Sequence, residues 1–322
     1  MSKAEPSAQT EQDGPHWTER PERGSALAMR IMLWLSLALG RTLTRPVLWG
    51  ITLYFFISSP DVRRHSRNYL ARVLPGPVRW WHVLRHFHWF SIVVHDRVFL
   101  LRNKYEMFDF HVEGNDVLHE FNDTRGGVML FGAHVGSFEA IRAIARTTVR
   151  PVTIAMYAEN ARRVMSVMAA LNPGATNEIL PLGQLNSMLA IRDRIAEGHV
   201  VGVLADRNFG SDTLLPVTVL GDQAWLPDGP FRLAATLQVP VFFMTGLFLG
   251  GKRYAVHIER IADFSGCPRA EREARMAEAR QAFADCMSSY CRKAPYNWFN
   301  FYDFWNPPDA PSSTTPDPVT SR

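Results

Sequence analysis

Short apolar runs alternate with longer helical segments along the chain from Gly127 onward. This alternation limits the chain to α/β architectures, in which helices cover a sheet. No crossover helix precedes the apolar runs that begin at Val217 and Tyr254, so we expect a mixed sheet flanked by helices rather than a purely parallel one. The predicted strands are 128–131, 152–156, 200–205, 217–220, 239–243 and 254–258, and the predicted helices are 137–146, 161–171, 185–197, 230–237 and 269–291.

The segment 26–59 is strongly apolar and is interrupted by Arg30, Arg41, Arg45 and Pro46. None of its uninterrupted apolar stretches reaches the roughly 18 to 20 residues that cross a bilayer. At about 100° per residue, the three arginines fall on one side of a helix, and Leu, Trp, Met and Phe side chains fall on the other. The pattern indicates an amphipathic helix that lies in a membrane surface. A pair of buried helices broken at Pro46, or a single tilted span, would also fit it.

Positive charge is concentrated at the beginning of the chain. The formal net charge is +4, whereas residues 1–105 contain 15 Lys and Arg against seven Asp and Glu. Such a region attracts anionic partners: nucleic acid, an anionic membrane surface or an acidic carrier protein. The apolar sequence interleaved with the charges favours the membrane. We therefore expect a flexible tail over 1–18, a basic helical membrane-associating region over 19–105, an α/β domain over 106–305 and a second flexible tail over 306–322.

One strand-to-helix junction carries candidate catalytic groups. The predicted strand 128–131 leaves the sheet through Gly132, and a helix begins near Ser137. His134 lies on the turn, and Glu139, in the first helical turn, is placed to accept a hydrogen bond from the histidine ring. The second ring nitrogen would then act as a general base. The same residues would also fit a histidine that caps a helix beside a first-turn glutamate.

The sequence His134-x4-Glu139 after an apolar strand resembles the H-x4-D/E motif of the lysophospholipid acyltransferase superfamily, and especially its branch of bacterial lipid A late acyltransferases. Further blocks are similar to that branch in order and spacing, so the resemblance extends from about residue 16 to residue 305. These blocks are LADRNFG at 204–210, LPDGPFR at 226–232, VPVFF at 239–243 and the aromatic ending YNWFNFYDFW at 296–305.

The resemblance implies a membrane-associated acyltransferase. It would move a fatty acyl group from a thioester of acyl carrier protein or coenzyme A to a hydroxyl or amine of a lipid or glycolipid acceptor. His134 would take the acceptor proton, and Glu139 would stabilise the imidazolium. Backbone N–H groups at the start of the Ser137 helix would bind the oxyanion.

The implied location is the cytoplasmic face of a bacterial inner membrane, with peripheral or monotopic attachment. The basic front end favours an acidic carrier protein as the donor. A catalytically silent lipid-binding protein of the same fold, held at the membrane surface, is the alternative to an enzyme.

The family blocks also imply candidate substrate-binding residues. Arg207 would bind an anionic group of the acceptor or donor, and Asp206 would orient Arg207 or the acceptor. Asp206-Arg207 stands where glycerol-phosphate acyltransferases place an arginine in an F-x-x-R context, and Pro-Asp-Gly at 227–229 replaces their Pro-Glu-Gly. The acceptor therefore need not be glycerol phosphate. The full set is Gly136, Ser137, Asp206, Arg207, Asp228 and Gly229.

Several other kinds of site lack support in the sequence. His82 and His86 have the i, i+4 spacing of zinc ligands, but no H-E-x-x-H pattern accompanies them, so no metal is expected. Neither a Walker A nor a G-x-G-x-x-G sequence occurs, and no cofactor is expected. The aromatic ending 296–305 carries no lysine or arginine, which argues against nucleic acid as a partner.

Overall fold

A mixed sheet lies at the centre of the protein. The structure is a computed structural model that describes residues 26–145, 150–157, 179–183, 186–207 and 212–307. Its strands are β1 (Asp109–Glu113), β2 (Val128–Gly132), β3 (Val152–Tyr157), β4 (Ile179–Leu182), β5 (Val200–Leu204), β6 (Leu214–Val219), β7 (Asp222–Pro227), β8 (Pro240–Phe248) and β9 (Arg253–Asp263). The main sheet has the strand order β1-β9-β8-β2-β5-β3-β4, and β6 pairs with β7 in a separate hairpin. Within the main sheet β8 and β9 are antiparallel and the other neighbouring pairs are parallel.

The described helices precede, connect and follow these strands. They are α1 (Ala26–Ser58), α2 (Pro60–Val73), α3 (Trp80–Leu101), α4 (Asn115–Asp123), α5 (Phe138–Ala145), α6 (Ser187–Ala196), α7 (Gly229–Leu237) and α8 (Arg272–Lys293). Short 3₁₀ turns occupy Tyr105–Met107 and Arg269–Glu271.

Strand β2 is buried on both faces because helices cover both sides of the sheet. Its residues alternate between two apolar clusters, as the two-residue period of a strand requires. Met129 and Phe131 contribute to the cluster that contains α7 and α8, whereas Val128 and Leu130 contribute to the cluster that contains α4 and α5. The continuous apolar sequence of β2 is typical of a central parallel strand. The end of this strand therefore has a fixed position in the molecule.

The structure confirms the predicted mixed α/β fold and differs from the sequence prediction in detail. The run at 217–220 belongs to the β6–β7 hairpin rather than to the main sheet. Strands β1, β4 and β7 were not predicted, since each is short and carries charged residues or proline. The predicted helix 161–171 and nearly all of the two predicted tails lie outside the described residues.

Helix α1 turns its polar side towards the protein and its apolar side outward. Thr44, Thr52 and Arg41 are buried, and Thr44 and Thr52 form hydrogen bonds with side chains of α3. The helix bends at Gly40, which has a φ of 74°, and continues through Pro46. Its exposed apolar side chains are Trp34, Leu37, Leu39, Leu43, Val47, Trp49, Leu53, Tyr54, Phe55 and Ile57. This is the reverse of the usual orientation of a surface helix on a water-soluble protein.

A buried ion pair fixes α1 to α3. Arg41 Nε and Nη2 donate to the two carboxylate oxygens of Asp96 at 2.7 and 2.8 Å. The Tyr254 hydroxyl donates to the same carboxylate at 3.0 Å, and Arg45 lies 3.7 Å from it. Arg41 and Arg45 also donate to the carbonyl of Gly251, in the turn between β8 and β9. Helix α1 is therefore attached to both α3 and the sheet through polar contacts.

This arrangement corrects the prediction for the arginines of segment 26–59. Arg41 and Arg45 do share one side of the helix, but that side faces Asp96 rather than solvent or lipid head groups. The side chain of Arg30 lies outside the described part of the structure. Helical periodicity reveals that two faces exist, but it does not reveal which face the rest of the protein covers. Within the described residues, no helix combines the length and apolar character needed to cross a membrane.

Replacement of Asp96 should destabilise the protein strongly. Asp96→Asn leaves the guanidinium of Arg41 buried without its counter-ion, and breaking a buried ion pair in this way costs about 3–5 kcal/mol. Asp61→Asn is the control, because Asp61 pairs with Arg64 and both side chains are more than half exposed; its effect should stay within about 0.5 kcal/mol. Thermal and denaturant unfolding would measure both changes, and equal effects would contradict the structural importance of the buried pair.

Candidate active site

The turn after β2 is held in place by backbone contacts that require glycine. Gly136 has a φ of 74°, in the left-handed region, and a Cβ at this position would lie 2.2 Å from the carbonyl oxygen of Gly246 in β8. The Gly136 N–H donates to the carbonyl of Asn297 at 2.8 Å. The next N–H, of Ser137, donates to the Gly246 carbonyl at 2.7 Å. The turn thus lies directly against the neighbouring strand, and α5 begins at a defined point.

The carboxylate that orients His134 belongs to Asp206. His134 Nδ1 lies 2.8 Å from Asp206 Oδ1, and the His134 backbone N–H donates to Asp206 Oδ2 at 2.9 Å. The two residues meet because β2 and β5 are parallel neighbours, with Gly132 opposite Leu204, and each residue follows its strand by two positions. The Asp206 side chain is buried, whereas the His134 side chain is 26% exposed. The histidine therefore has one side towards its partner and another accessible to a substrate.

The electrostatic environment sets the protonation of this pair. Burial and the positive charge of Arg207 lower the pKa of His134, although Asp206 acts in the opposite direction. Burial alone would raise the pKa of Asp206, but its interactions with His134 and Arg207 lower that pKa to about 2. Near neutral pH the carboxylate is ionised and the imidazole is neutral. Since a carboxylate accepts hydrogen bonds but donates none, Nδ1 carries the proton and Nε2 has the lone pair of a base.

In the described structure Glu139 contacts Arg97 and Ser137 instead of His134. Glu139 forms an ion pair with Arg97 of α3, and the Ser137 hydroxyl donates to Glu139 Oε2 at 3.4 Å. Arg97 also contributes to the electrostatic environment of His134, where it lowers the pKa of the histidine. Glu139 is therefore placed beside Arg97, and the acceptor for the histidine ring lies on the neighbouring strand instead.

The predicted oxyanion donors are also corrected in part. The Ser137 N–H is occupied by the Gly246 carbonyl, and the Gly136 N–H by the Asn297 carbonyl. The Ser137 side chain is buried and accepts a hydrogen bond from the N–H of Ala140 at 3.3 Å, which is the contact of a helix N-cap. Gly136 and Ser137 thus shape the turn and begin α5, and these backbone groups already have protein partners.

Arg207 and the aromatic segment, residues 296–305, complete the surroundings of His134. The Phe299 N–H donates to the His134 carbonyl at 2.9 Å, and Arg207 Nη2 donates to the Phe299 carbonyl at 3.0 Å. The Arg207 guanidinium lies 5.1 Å from the centre of the Tyr302 ring, and the Tyr302 hydroxyl donates to the Asp206 carbonyl at 3.3 Å. His134, Asp206 and Arg207 are therefore brought together by one segment.

The candidate substrate-binding residues Asp228 and Gly229 contact residues other than His134, Asp206 and Arg207. Asp228 is buried at the start of α7 and forms ion pairs with Arg232 and with Arg280 of α8. A Cβ at Gly229 would lie 2.7 Å from the carboxylate of Asp212. The contacts recorded for Asp228 within the described residues join α7 to α8 rather than to the turn that carries His134.

Arg97 and the aromatic segment contribute to the site but were not recognised as site residues in the sequence. Arg97 lies in an apolar helix some forty residues before His134, and nothing in the local pattern connects the two. His86, one of the two histidines with the spacing of zinc ligands, is buried between the Ser66 hydroxyl and the Trp298 carbonyl, each at 2.8 Å, so it holds the aromatic segment.

An apolar cavity lies between α4, α5 and the sheet. Its walls include Phe121 of α4, Phe138 and Ile141 of α5, and Leu130 and Met244 of the sheet.

Comparison with protein families identifies the class of protein. Residues 19–306 match the family model for bacterial lipid A biosynthesis acyltransferases, so the chain belongs to this family and is an acyltransferase. The resemblance found in the sequence motifs is thereby confirmed. None of the curated proteins matches the sequence.

One solved structure with some similarity is the 1-acyl-sn-glycerophosphate acyltransferase PlsC from Thermotoga maritima. The two chains share 15% sequence identity with a TM-score of 0.39, over 78% of this chain and 98% of that chain. A similarity at this level adds nothing to the description of the site.

Substitution of Gly136 should disrupt the turn. Gly136→Ala would place a methyl group against the Gly246 carbonyl and force a left-handed backbone on alanine, so we expect a loss of more than about 3 kcal/mol in unfolding free energy. Gly221→Ala is the matched control, because Gly221 also has a positive φ of 97° but open space around the position of the Cβ. It should lose about 1 kcal/mol from backbone strain alone. Similar losses in thermal unfolding would show that the close contact is unimportant.

Proposed function

We propose that this acyltransferase moves a fatty acyl group from a thioester of acyl carrier protein or coenzyme A to a hydroxyl or amine of a lipid or glycolipid acceptor, with His134 as the general base. The observation that carries the proposal is the contact between His134 Nδ1 and the ionised Asp206 at 2.8 Å, in a member of a lipid A acyltransferase family. This contact leaves Nε2 as the basic nitrogen.

The proposed reaction is a direct transfer. Nε2 of His134 accepts the proton of the acceptor hydroxyl or amine as the acceptor atom attacks the thioester carbonyl carbon. Asp206 stabilises the imidazolium that forms, as a carboxylate does in other histidine-based sites. The tetrahedral intermediate then collapses, the bond from carbon to sulfur breaks, and the leaving thiolate takes the proton from His134. Glu139 acts indirectly, by holding Arg97 beside the histidine.

The charges near His134 support a substrate that carries an anionic group. Arg97 and Arg207 both add positive charge near His134, which suits an anionic group on the donor or the acceptor. The excess of basic residues over 1–105 favours an acidic carrier protein as the donor.

The outward apolar side of α1 supports attachment to the cytoplasmic face of a bacterial inner membrane. Contiguous exposed apolar side chains on a protein surface are typical of contacts with membranes or other proteins. Exposed Trp80 and Trp81 at the start of α3, and exposed Phe90 further along it, extend the apolar surface. Phe90 contacts Phe299 and Phe301, so the apolar surface continues to the aromatic segment beside His134. A lipid acceptor could therefore reach the site from the membrane.

Variants of His134 and Asp206 should show that the two residues act as one unit. His134→Ala should lower transfer by about 10²- to 10⁴-fold, and Asp206→Asn should lower it less. The double variant should be no slower than His134→Ala alone. Because the Asp206 charge raises the pKa of His134, its removal should also move the acidic limb of the rate profile to lower pH. The assay follows a radiolabelled myristoyl group from carrier-protein and coenzyme A thioesters to lipids of an inner-membrane extract.

Glu139→Gln is the comparison for these variants. It removes the charge that pairs with Arg97 but leaves the contact between His134 and Asp206 intact, so its loss of activity should be the smallest. Additive effects of His134→Ala and Asp206→Asn would contradict the pairing. A folded His134→Ala protein with wild-type transfer would require a different base.

Membrane attachment should depend on the outward side of α1. Leu43 and Ile57 are 67% and 66% exposed, so Leu43→Glu with Ile57→Glu should reduce binding to vesicles of phosphatidylethanolamine and phosphatidylglycerol without changing the Tm. Met188→Glu with Leu189→Glu is the matched control, because both side chains are 51% exposed but lie on α6. Flotation of the vesicles measures both pairs. Equal binding of the two double variants would contradict the assignment of this face.

A further inference from the structure

Asn300 in the aromatic segment is buried without a hydrogen-bond partner. The residue is 1% exposed, and neither its Oδ1 nor its Nδ2 has a partner within the described part of the chain. Asn297, three residues earlier, is equally buried, but its amide is satisfied at both ends by the backbone of Phe248, at 2.7 and 3.0 Å. An unsatisfied buried amide is costly, so such a group in a folded protein points to a ligand that supplies the missing contact.

Asn300 directly follows a residue that contacts both His134 and Arg207. The preceding residue, Phe299, donates its N–H to the His134 carbonyl and accepts a hydrogen bond from Arg207 Nη2. The Nε of Arg207 is likewise buried and without a partner among the described residues. Two residues with unpartnered N–H donors therefore adjoin Phe299: Asn300 is its neighbour in the chain, and the charged Arg207 donates to its carbonyl.

The reaction needs such donors. The thioester carbonyl oxygen becomes an oxyanion in the tetrahedral intermediate and must be stabilised by N–H groups that are not already used. The N–H groups of Gly136 and Ser137 are occupied by protein carbonyls. We propose that the Nδ2–H of Asn300 and the Nε–H of Arg207 bind this oxyanion, so that Asn300 is a further catalytic residue. The inference rests on the proposed acyl transfer.

With these groups, every proton and electron pair of the transfer has a defined destination. The proton of the acceptor passes to His134 Nε2, the new bond from the acceptor to the carbonyl carbon forms, and the π electrons of the carbonyl move onto its oxygen. Asn300 and Arg207 hold the oxyanion without changing their own protonation. When the carbonyl reforms, the bond to sulfur breaks, and the imidazolium returns the proton to the thiolate.

Asn300→Leu separates catalysis from stability. Leucine is similar in size and removes the unsatisfied amide, so the Tm should rise by a few degrees, while kcat should fall by about 10²- to 10³-fold, as for loss of one oxyanion donor. The KM for the thioester should change little, because the oxyanion exists only after attack. Asn297→Leu is the matched control: it removes an amide that is already satisfied, and its Tm should fall.

The outcomes distinguish the possible failures. A lower Tm for Asn300→Leu, with kcat per folded molecule unchanged, would mean that the amide has a structural partner such as water, and the inference would be overturned. Wild-type kcat at a raised Tm would also overturn it. If the wild-type protein shows no transfer from either thioester, the proposed function itself fails and the inference fails with it. The expected result is a fall in kcat together with a raised Tm.

Discussion

The contact between two glycine backbones, at Gly136 and Gly246, is the constraint on which the site depends. A Cβ on Gly136 would meet the Gly246 carbonyl, and a Cβ on Gly246 would lie 2.6 Å from the Ser137 carbonyl. The absence of both side chains lets the turn after β2 lie directly on β8. With the turn in this place, the backbone of His134 pairs with the aromatic segment and its ring reaches Asp206. The geometry of the candidate site is thus determined mainly by backbone packing.

The sequence predicted the participants of the site better than their contacts. His134, Asp206 and Arg207 were recognised from their motifs, and the structure places them together. The predicted contact of Glu139 with the histidine ring is not formed in the described structure, because Glu139 pairs with Arg97 of α3. Asp206 is 72 residues away in sequence, yet it follows a parallel neighbouring strand. The rule that adjacent parallel strands end at the same edge of a sheet would have favoured it.

Two other features could not be obtained from local patterns. The side of α1 that faces the protein depends on Asp96, a single buried acid in α3, and periodicity cannot identify such a partner. The proposed role of Asn300 rests on its amide having no partner among the described residues, which a sequence pattern cannot reveal. Both features arise from tertiary contacts between segments that are distant in the chain, whereas the strand and helix positions near β2 and α5 follow from local periodicity.

The polar attachment of α1 has a consequence for how this protein can be divided. Here Arg41 neutralises Asp96, and Arg41 and Arg45 satisfy the Gly251 carbonyl at the tip of the β8–β9 turn. A fragment that begins after α1 would retain a carboxylate and a carbonyl whose partners had been cut away. The first helix is therefore an integral part of the folded enzyme, and changes to its outer surface would disturb the fold less than its removal.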